Sequence, residues 1–256
     1  MTEGELLYSV KDGVASLVIN REAKRNSLSV EVLGLFHEFL DKADNDNDVR
    51  AILITGIGEK AFCSGADLGG GMGDGEVDVF KLYADLLKKI VSFPKPTLAK
   101  VNGYCLAGGM GLMLSCDIVI AKKESKFGTP EVNVGLWPMM IGALIFRNAP
   151  RKKAMEMILL GERMTADAAL EMGLVTRVVD SGELDSEVDK VLKTLSSKSP
   201  IGMRIGKRAF SDMTDMGFED ALDFLSGKIA EVASTEDAIE GITAFIEKRD
   251  PVFKGK

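Results

Sequence analysis

Short segments rich in β-branched residues alternate with a helical segment in the first half of the chain, and this alternation limits the folds available to it. The predicted strands are Val14–Ile19, 49–55, Thr97–Val101 and 117–121. Between the first two, residues 29–43 place Leu33, Phe36 and Leu40 at helical spacing on one face. A strand, helix, strand order requires crossover connections and predicts an α/β fold, to which hairpin strands could add.

The second half of the chain is predicted to be mostly helical. After Pro150 the only strand signal spans residues 174–179, and helices are expected to begin near Leu184, Pro200, Phe218 and Thr235. No long linker precedes these helices, so they form an appendage rather than an independent domain. We expect a core over residues 1–199 and a helical region over 200–256. Five glycines within residues 69–75 predict a mobile loop.

Composition excludes several classes of function. The chain has 256 residues, 46% of them hydrophobic and 28% charged, which is typical of a globular protein. A net charge of −7 argues against a nucleic-acid or anionic membrane surface. Three cysteines and one histidine without metal-ligand spacing predict no metal site. The first 13 residues lack an export signal and the most apolar stretch is short for a membrane span, so we expect a cytoplasmic protein.

Three segments carry more glycine than packing requires. The first, AFCSGADL at residues 61–68, follows the strand that ends near Thr55. A tight turn after a strand can leave a main-chain N–H pointing into a cleft, and glycine permits the close approach. An ordinary turn is the alternative interpretation.

The second segment, residues 101–111, runs from a strand into the glycines before an apolar stretch. If a helix begins there, the amides near Gly108 lie at its N-terminus, where they favour an anion or an oxyanion. The pattern lacks the glycine spacing of dinucleotide sites and of phosphate-binding loops. A close crossing of helix and sheet is the alternative.

The third segment, residues 127–140, contains Glu131 directly after a proline and among apolar residues. Burial of this carboxylate would raise its pKa, as a general base near neutral pH requires. Alternatively, Glu131 only complements a helix dipole. Trp137, Met139 and Met140 are expected to pack in the core, with the wall of a binding pocket as the second possibility.

Taken in order, these segments resemble the enoyl-CoA hydratase/isomerase family, the crotonase superfamily, from about residue 14 to the C-terminus. The matching features are Asn20-Arg21 with Asn26-Ser27-Leu28, AFCSGADL (61–68), KPTLAKVNGYCLAGGMGLMLSCDIVIA (95–121), FGTPEVNVGL (127–136), LLGERMTADAALEMGLVTRVV (159–179) and AFIEKR (244–249). The resemblance implies an α/β spiral of β-β-α units whose C-terminal helices form trimers, which commonly pair into hexamers. It also implies an acyl-CoA thioester substrate and no separate cofactor.

The resemblance assigns roles to individual residues. The amides of Ala66 and Gly108 would form an oxyanion hole for the thioester carbonyl, and Glu131 would carry a proton. Contacts with CoA are implied for Ala23, Lys24, Arg25, Ala66, Asp67, Leu68 and Gly108. Phe245 and Lys248 would reach the adenine-nucleotide end of CoA, often across a subunit contact.

Position 111 departs from the hydratase pattern. Hydratases of the family carry two glutamates 20 residues apart; the second matches Glu131, whereas the first falls on Gly111. One carboxylate suffices to move a proton between two carbons, so an isomerase-type double-bond shift is the preferred interpretation. The alternatives are a hydratase with a substitute acid, such as Asp74, Glu76 or Asp78, and a weakly catalytic CoA-binding member.

Overall fold

The computed structural model describes residues 4–67 and 78–256, which form ten strands and ten α-helices. The strands are β1 (Leu6–Lys11), β2 (Val14–Ile19), β3 (Ala51–Gly56), β4 (Ala61–Cys63), β5 (Thr97–Val101), β6 (Tyr104–Leu106), β7 (Ile118–Lys122), β8 (Lys126–Gly128), β9 (Met164–Thr165) and β10 (Arg177–Val179). The helices are α1 (Val30–Asn45), α2 (Val79–Val91), α3 (Gly108–Leu114), α4 (Met139–Asn148), α5 (Arg151–Leu160), α6 (Ala166–Glu171), α7 (Leu184–Ser196), α8 (Pro200–Asp212), α9 (Phe218–Ala233) and α10 (Glu236–Glu247).

The four strands and the helix predicted for the first half are confirmed, and the structure adds β1, β4, β6, β8 and α2. The four predicted strands correspond to β2, β3, β5 and β7, and the predicted helix is α1. This helix starts where its periodicity starts because the Ser29 hydroxyl accepts a hydrogen bond from the Val32 amide at 3.1 Å. Of these added elements, β1 pairs antiparallel with β2 as a hairpin. Its turn uses Asp12 and Gly13, both with positive φ.

The strands form two sheets, and the chain adds strands to both as it advances. The larger has the order β1-β2-β3-β5-β7-β10, and the smaller has the order β4-β6-β8-β9. The successive pairs β3 and β4, β5 and β6, and β7 and β8 each give one strand to each sheet, and a helix follows each pair. The chain therefore winds as a spiral of β-β-α units, with parallel pairing between successive turns.

The main core lies inside this spiral, where Phe36, Phe62 and Phe127 are fully buried. The C-terminal helix α9, in contrast, contributes no buried residue to a core. No residue of α9 is buried in the single chain, and Phe218 and Ile229 are exposed to 78% and 64%. Exposed large apolar side chains on one helix are typical of a surface that contacts a partner.

The expectation of a loop at residues 69–75 lies outside the described residues. Among the helices of residues 4–67 and 78–256, none has both the length and the apolar character needed to cross a membrane.

Candidate active site

Three adjacent parallel strands of the smaller sheet each end just before one of the predicted catalytic residues. Strand β6 pairs in parallel with β4 on one side and with β8 on the other. Ala66 follows the end of β4 by three residues, Gly108 follows β6 by two, and Glu131 follows β8 by three. The carboxyl ends of parallel strands are where α/β folds bind ligands.

The turns after β4 and β6 are in direct contact. Gly65 has a φ of +102°, and a Cβ built on it would lie 2.7 Å from the Cβ of Ala107. Only glycine fits there, because the backbone conformation and the space both exclude a side chain. A Cβ built on Gly108 would lie 3.6 Å from the amide nitrogen of Ala66. The amides of Ala66 and Gly108 therefore border the same small space.

Both amides are available to a ligand. Within the described part of the chain, neither the Ala66 nor the Gly108 N–H donates a hydrogen bond. On either side of Ala66 the main chain is paired: the Leu28 amide donates to the Gly65 carbonyl at 2.8 Å, and the Asp67 amide donates to Leu28 at 2.9 Å. Ala66 is exposed and Gly108 partly exposed. Two such donors suit a developing oxyanion.

The peptide before Gly108 is held in an unusual conformation. Ala107 has φ 49° and ψ −126°, a region that residues with a side chain rarely adopt. This conformation costs about 1–3 kcal/mol and persists only where neighbouring contacts impose it. The Ala107 amide donates to the Gly128 carbonyl at 3.0 Å, which ties the turn to β8. As a result α3 begins at Gly108, with the amide of that residue in its unpaired first turn.

Glu131 has the environment that a proton carrier requires. It lies in a 3-10 helix, Pro130–Val134, and is partly buried. Its Oε2 atom is buried without a hydrogen-bond partner among the described residues. Burial raises the pKa of Glu131 above the ordinary value of 4.5, in the predicted direction. Burial thus outweighs any stabilisation of the carboxylate by the helix.

Sequence reasoning missed Tyr83, which fills the space beside Gly111. A Cβ built on Gly111 would overlap the phenol oxygen of Tyr83. The phenol belongs to α2, is only 7% exposed, and donates a hydrogen bond from Oη to the Gly108 carbonyl at 2.6 Å. The available signal was Gly111 itself, since a glycine inside an apolar helix often marks a close approach.

The predicted CoA-contacting residues near the first turn fall into two groups. Ala23, Lys24 and Arg25 are exposed, and the Arg25 carbonyl accepts a hydrogen bond from the Ser64 amide at 3.1 Å, which brings this segment to the AFCSGADL turn. Asp67 instead forms an ion pair with Arg21 at 2.6 Å. Leu68 lies outside the described residues.

Arg25 also lines a basic cavity of about 450 Å³. Five basic and two acidic side chains contribute to its wall. They are Arg25, Lys60, Lys122, Lys126 and Arg163, with Glu59 and Glu124. Such a charge balance favours an anionic ligand.

Phe245 and Lys248 lie at the end of α10, away from the other predicted residues. Phe245 is 84% exposed and borders an apolar cavity of about 460 Å³ between α8, α9 and α10. None of the residues lining that cavity belongs to the turns after β4, β6 or β8. Within one chain, Phe245 therefore borders this separate cavity and not the three turns.

The expectation that Trp137 and Met139 pack in the core is wrong. Trp137, between the 3-10 helix and α4, and Met139, the first residue of α4, are exposed to 44% and 72%. Met140 is partly buried and packs against the main core, as predicted. Cys63 and Cys105 are fully buried, and burial raises the pKa of Cys63 to about 12. Neither thiol is therefore a nucleophile at neutral pH.

The chain's single histidine and one of the three proposed substitute acids make contacts elsewhere, and the other two acids lie outside the described residues. His37 contacts the Leu82 carbonyl at 3.2 Å in the packing of α1 on α2. Asp78 caps α2 by accepting from the Lys81 amide, whereas Asp74 and Glu76 lie outside the described residues. In residues 4–67 and 78–256, no group of three His, Cys, Asp or Glu side chains could hold a metal ion.

Proteins of known structure share this architecture. An enoyl-CoA hydratase from Bacillus anthracis superposes with a TM-score of 0.94 at 31% identity, covering 99% of this chain and 100% of that one. Human enoyl-CoA hydratase domain-containing protein 3 superposes with a TM-score of 0.93 at 32% identity over 98% of this chain and 100% of that one. The predicted crotonase-like α/β spiral is confirmed.

Sequence comparison agrees with the structural one. The chain is 34% identical to the short-chain-enoyl-CoA hydratase of Clostridium acetobutylicum, over 93% of this chain and 94% of that protein. The family profile described as Enoyl-CoA hydratase/isomerase matches residues 9–256. Because the profile spans nearly the whole chain, this protein belongs to the enoyl-CoA hydratase/isomerase family.

Proposed function

We propose that the protein is an enzyme that acts on acyl-CoA thioesters, in which the amides of Ala66 and Gly108 stabilise an enolate and Glu131 carries the proton. The observation that carries this proposal is that two unpaired amides and a carboxylate of raised pKa follow the carboxyl ends of three adjacent parallel strands. In comparable sites each such donor contributes about 2.7–4 kcal/mol to the transition state.

The preferred reaction is a shift of a double bond from C3 to C2 of the acyl chain. Glu131 removes a proton from C2 of a 3-enoyl thioester, and the electron pair moves into a dienolate whose oxygen accepts hydrogen bonds from Ala66 and Gly108. The protonated Glu131 then gives its proton to C4, which leaves the double bond between C2 and C3. Atoms and charge balance without a second acid, and CoA enters only as part of the substrate.

The surroundings of Gly111 support isomerisation over hydration. Adding water to a 2-enoyl thioester requires one group to activate the water and a proton source at the adjacent carbon. The place of a second carboxylate is filled by the Tyr83 phenol, whose proton is engaged with the Gly108 carbonyl. Glu131 then acts as a single carboxylate, and isomerisation is the reaction that needs only one.

Hydration of a 2-enoyl thioester is the second candidate, because the relative from Clostridium acetobutylicum is named a hydratase. A substitute for the missing acid would then be needed, such as water held by main-chain groups. CoA-ester binding with weak catalysis is the third.

For substrate binding, we assign the CoA phosphates to Lys24 and Arg25, whose exposed cations are suited to phosphate. Phe245 and Lys248 would act from a neighbouring subunit of a cytoplasmic homotrimer or homohexamer. The exposed apolar faces of α9 and α10 support such an assembly. Sedimentation velocity of the full chain tests it, and a monomer at micromolar concentration would contradict it.

Matched 2-enoyl- and 3-enoyl-CoA esters of one chain length separate the three candidates. Each ester is incubated with the protein and the products are resolved by chromatography with mass detection. Conversion of the 3-enoyl ester into the 2-enoyl ester at constant mass supports the isomerase. A gain of one water by the 2-enoyl ester identifies a hydratase, and binding without turnover identifies the third candidate.

A further inference from the structure

The hydroxyl of Tyr83 joins α2 to the first residue of α3. Its Oη donates to the Gly108 carbonyl at 2.6 Å, across 25 positions of sequence. Burial raises the pKa of Tyr83 well above 10, and the nearby Glu131 charge adds to this rise, so the phenol keeps its proton and acts as a hydrogen-bond donor. A buried hydroxyl needs a partner. Here the partner is the residue whose amide borders the oxyanion space.

The residue before Gly108, Ala107, has an unfavourable backbone conformation that neighbouring contacts must hold in place. The unusual φ and ψ of Ala107 set the direction of the Ala107–Gly108 peptide, and thus of the Gly108 N–H. On one side the turn is fixed by the bond from the Ala107 amide to Gly128. On the other side, the Tyr83 hydroxyl fixes the Gly108 carbonyl, which limits rotation about the ψ angle of Gly108. The two restraints together hold the amide in place.

The fit around the hydroxyl is specific. Gly111 lies one helical turn after Gly108, and any Cβ at this position would overlap the Tyr83 oxygen. Ile141 of α4 borders the same space, 3.4 Å from that Cβ position. The glycine leaves room for the hydroxyl to reach the start of α3. Tyr83 and Gly111 therefore act as a pair.

We propose that Tyr83 is a positioning residue of the oxyanion hole, which aims the Gly108 amide at the substrate carbonyl by holding the carbonyl of the same residue. This inference rests on the proposed function. It predicts that the hydroxyl alters the polarisation of the bound thioester, an effect that a purely packing role would not have.

The test measures the carbonyl stretch of a bound saturated acyl-CoA labelled with ¹³C at the thioester carbon, by infrared difference spectroscopy. In the wild-type protein the band is expected at lower frequency than in water. Tyr83→Phe keeps the ring and removes the hydroxyl, and it should lose at least half of this shift. Its kcat should fall about tenfold, with KM changed less than twofold.

Tyr8→Phe is the matched control. Tyr8 also carries a buried hydroxyl, but this hydroxyl has no hydrogen-bond partner among the described residues and lies in β1, against Phe39. Its removal should leave both the carbonyl shift and kcat unchanged. Gly111→Ala is the second test variant, because it keeps Tyr83 but displaces the hydroxyl. It should weaken the carbonyl shift in the same direction.

The outcomes separate this inference from the proposed function. A full carbonyl shift and full kcat in Tyr83→Phe would overturn the positioning role while leaving the oxyanion hole intact. A lower unfolding temperature with an unchanged shift would assign Tyr83 to packing alone, and would also overturn it. If the wild-type protein binds the ester without any shift, the oxyanion hole itself is wrong and the inference falls with it.

Discussion

The phenol oxygen of Tyr83 lies where the first side-chain carbon of any residue other than glycine would stand at position 111. The two residues belong to different helices, α2 and α3. Glycine within a helix costs about 0.5–1 kcal/mol relative to alanine. At Gly111 the absence of a side chain leaves room for the Tyr83 hydroxyl, which donates a hydrogen bond to the Gly108 carbonyl. The packing of Tyr83 thus explains why position 111 is a glycine.

The steric relationship between Tyr83 and Gly111 can be measured as a coupling energy. Gly111→Ala alone should lower the free energy of unfolding by about 1–3 kcal/mol, because the new methyl group overlaps the phenol oxygen. In the Tyr83→Phe background the nearest ring carbon would be 3.1 Å away, so the loss should be smaller. Urea unfolding of the four proteins should give a coupling of about 0.5–3 kcal/mol. Strict additivity would contradict the described packing.

A second carboxylate can be introduced at position 111 only if the Tyr83 side chain is removed as well. Gly111→Glu alone should lose stability without gaining hydration, because Tyr83 occupies the place of the new side chain. In Tyr83→Ala/Gly111→Glu the carboxylate has room near Glu131, and two like charges raise at least one pKa, as a shared-proton pair requires. The ratio of hydration to isomerisation should rise about tenfold relative to Tyr83→Ala. No rise in the folded double variant would mean that position 111 does not limit hydration.

Glu131→Gln should remove most of the activity and leave CoA-ester binding nearly intact. The amide keeps the size of the carboxylate but cannot accept and return a proton, so kcat should fall by about 10²–10⁴. Steady-state kinetics and calorimetric binding check the two parts separately. Glu38→Gln, at an exposed position of α1, is the control. Turnover near the wild-type value in Glu131→Gln would refute the assignment of the base.

The raised pKa of Glu131 predicts opposite effects of pH on activity and stability. As a base it must be ionised, so kcat/KM should increase with pH through a pKa above 4.5. In the unfolded chain the carboxyl ionises at lower pH than in the folded protein. In the window between the two pKa values the folded state therefore binds more protons, and stability falls as pH rises. Glu131→Gln should lack this fall, as unfolding measured at several pH values would show.

Gly108→Ala should impair catalysis without harming the fold. A Cβ at this position meets Leu28 and Gly65 at 3.5 Å, which is ordinary contact, but stands 3.6 Å from the Ala66 amide. The methyl group would thus enter the oxyanion space, and kcat should fall about 10²-fold with little change in unfolding temperature.

Gly34→Ala is the control for this substitution, because its added methyl group has no atom within 4 Å. It should leave kcat unchanged and add up to about 1 kcal/mol of stability. Equal kinetics in the Gly34→Ala and Gly108→Ala variants would contradict the proposed oxyanion hole.

Local patterns in the sequence located the main elements and the turns that hold the candidate site residues. Short segments rich in β-branched residues located β2 and β5, and helical spacing of apolar residues located α1. Proline and apolar neighbours marked Glu131, and burial indeed raises its pKa. Glycine after a strand marked the turns around Ala66 and Gly108. All of these signals are carried by a few adjacent residues.

Tertiary structure alone decided what those residues touch. The ion pair of Asp67 with Arg21 joins positions 46 residues apart, and the contact of Tyr83 with Gly108 joins positions 25 apart. Within α2, Tyr83 lies on the apolar face of an amphipathic helix, so its position in the sequence does not indicate that it contacts Gly108. Its contact with Gly108, and with it the role we propose, depends on how α2 packs on α3. That packing is fixed by the burial of many side chains together, which no single stretch of sequence specifies.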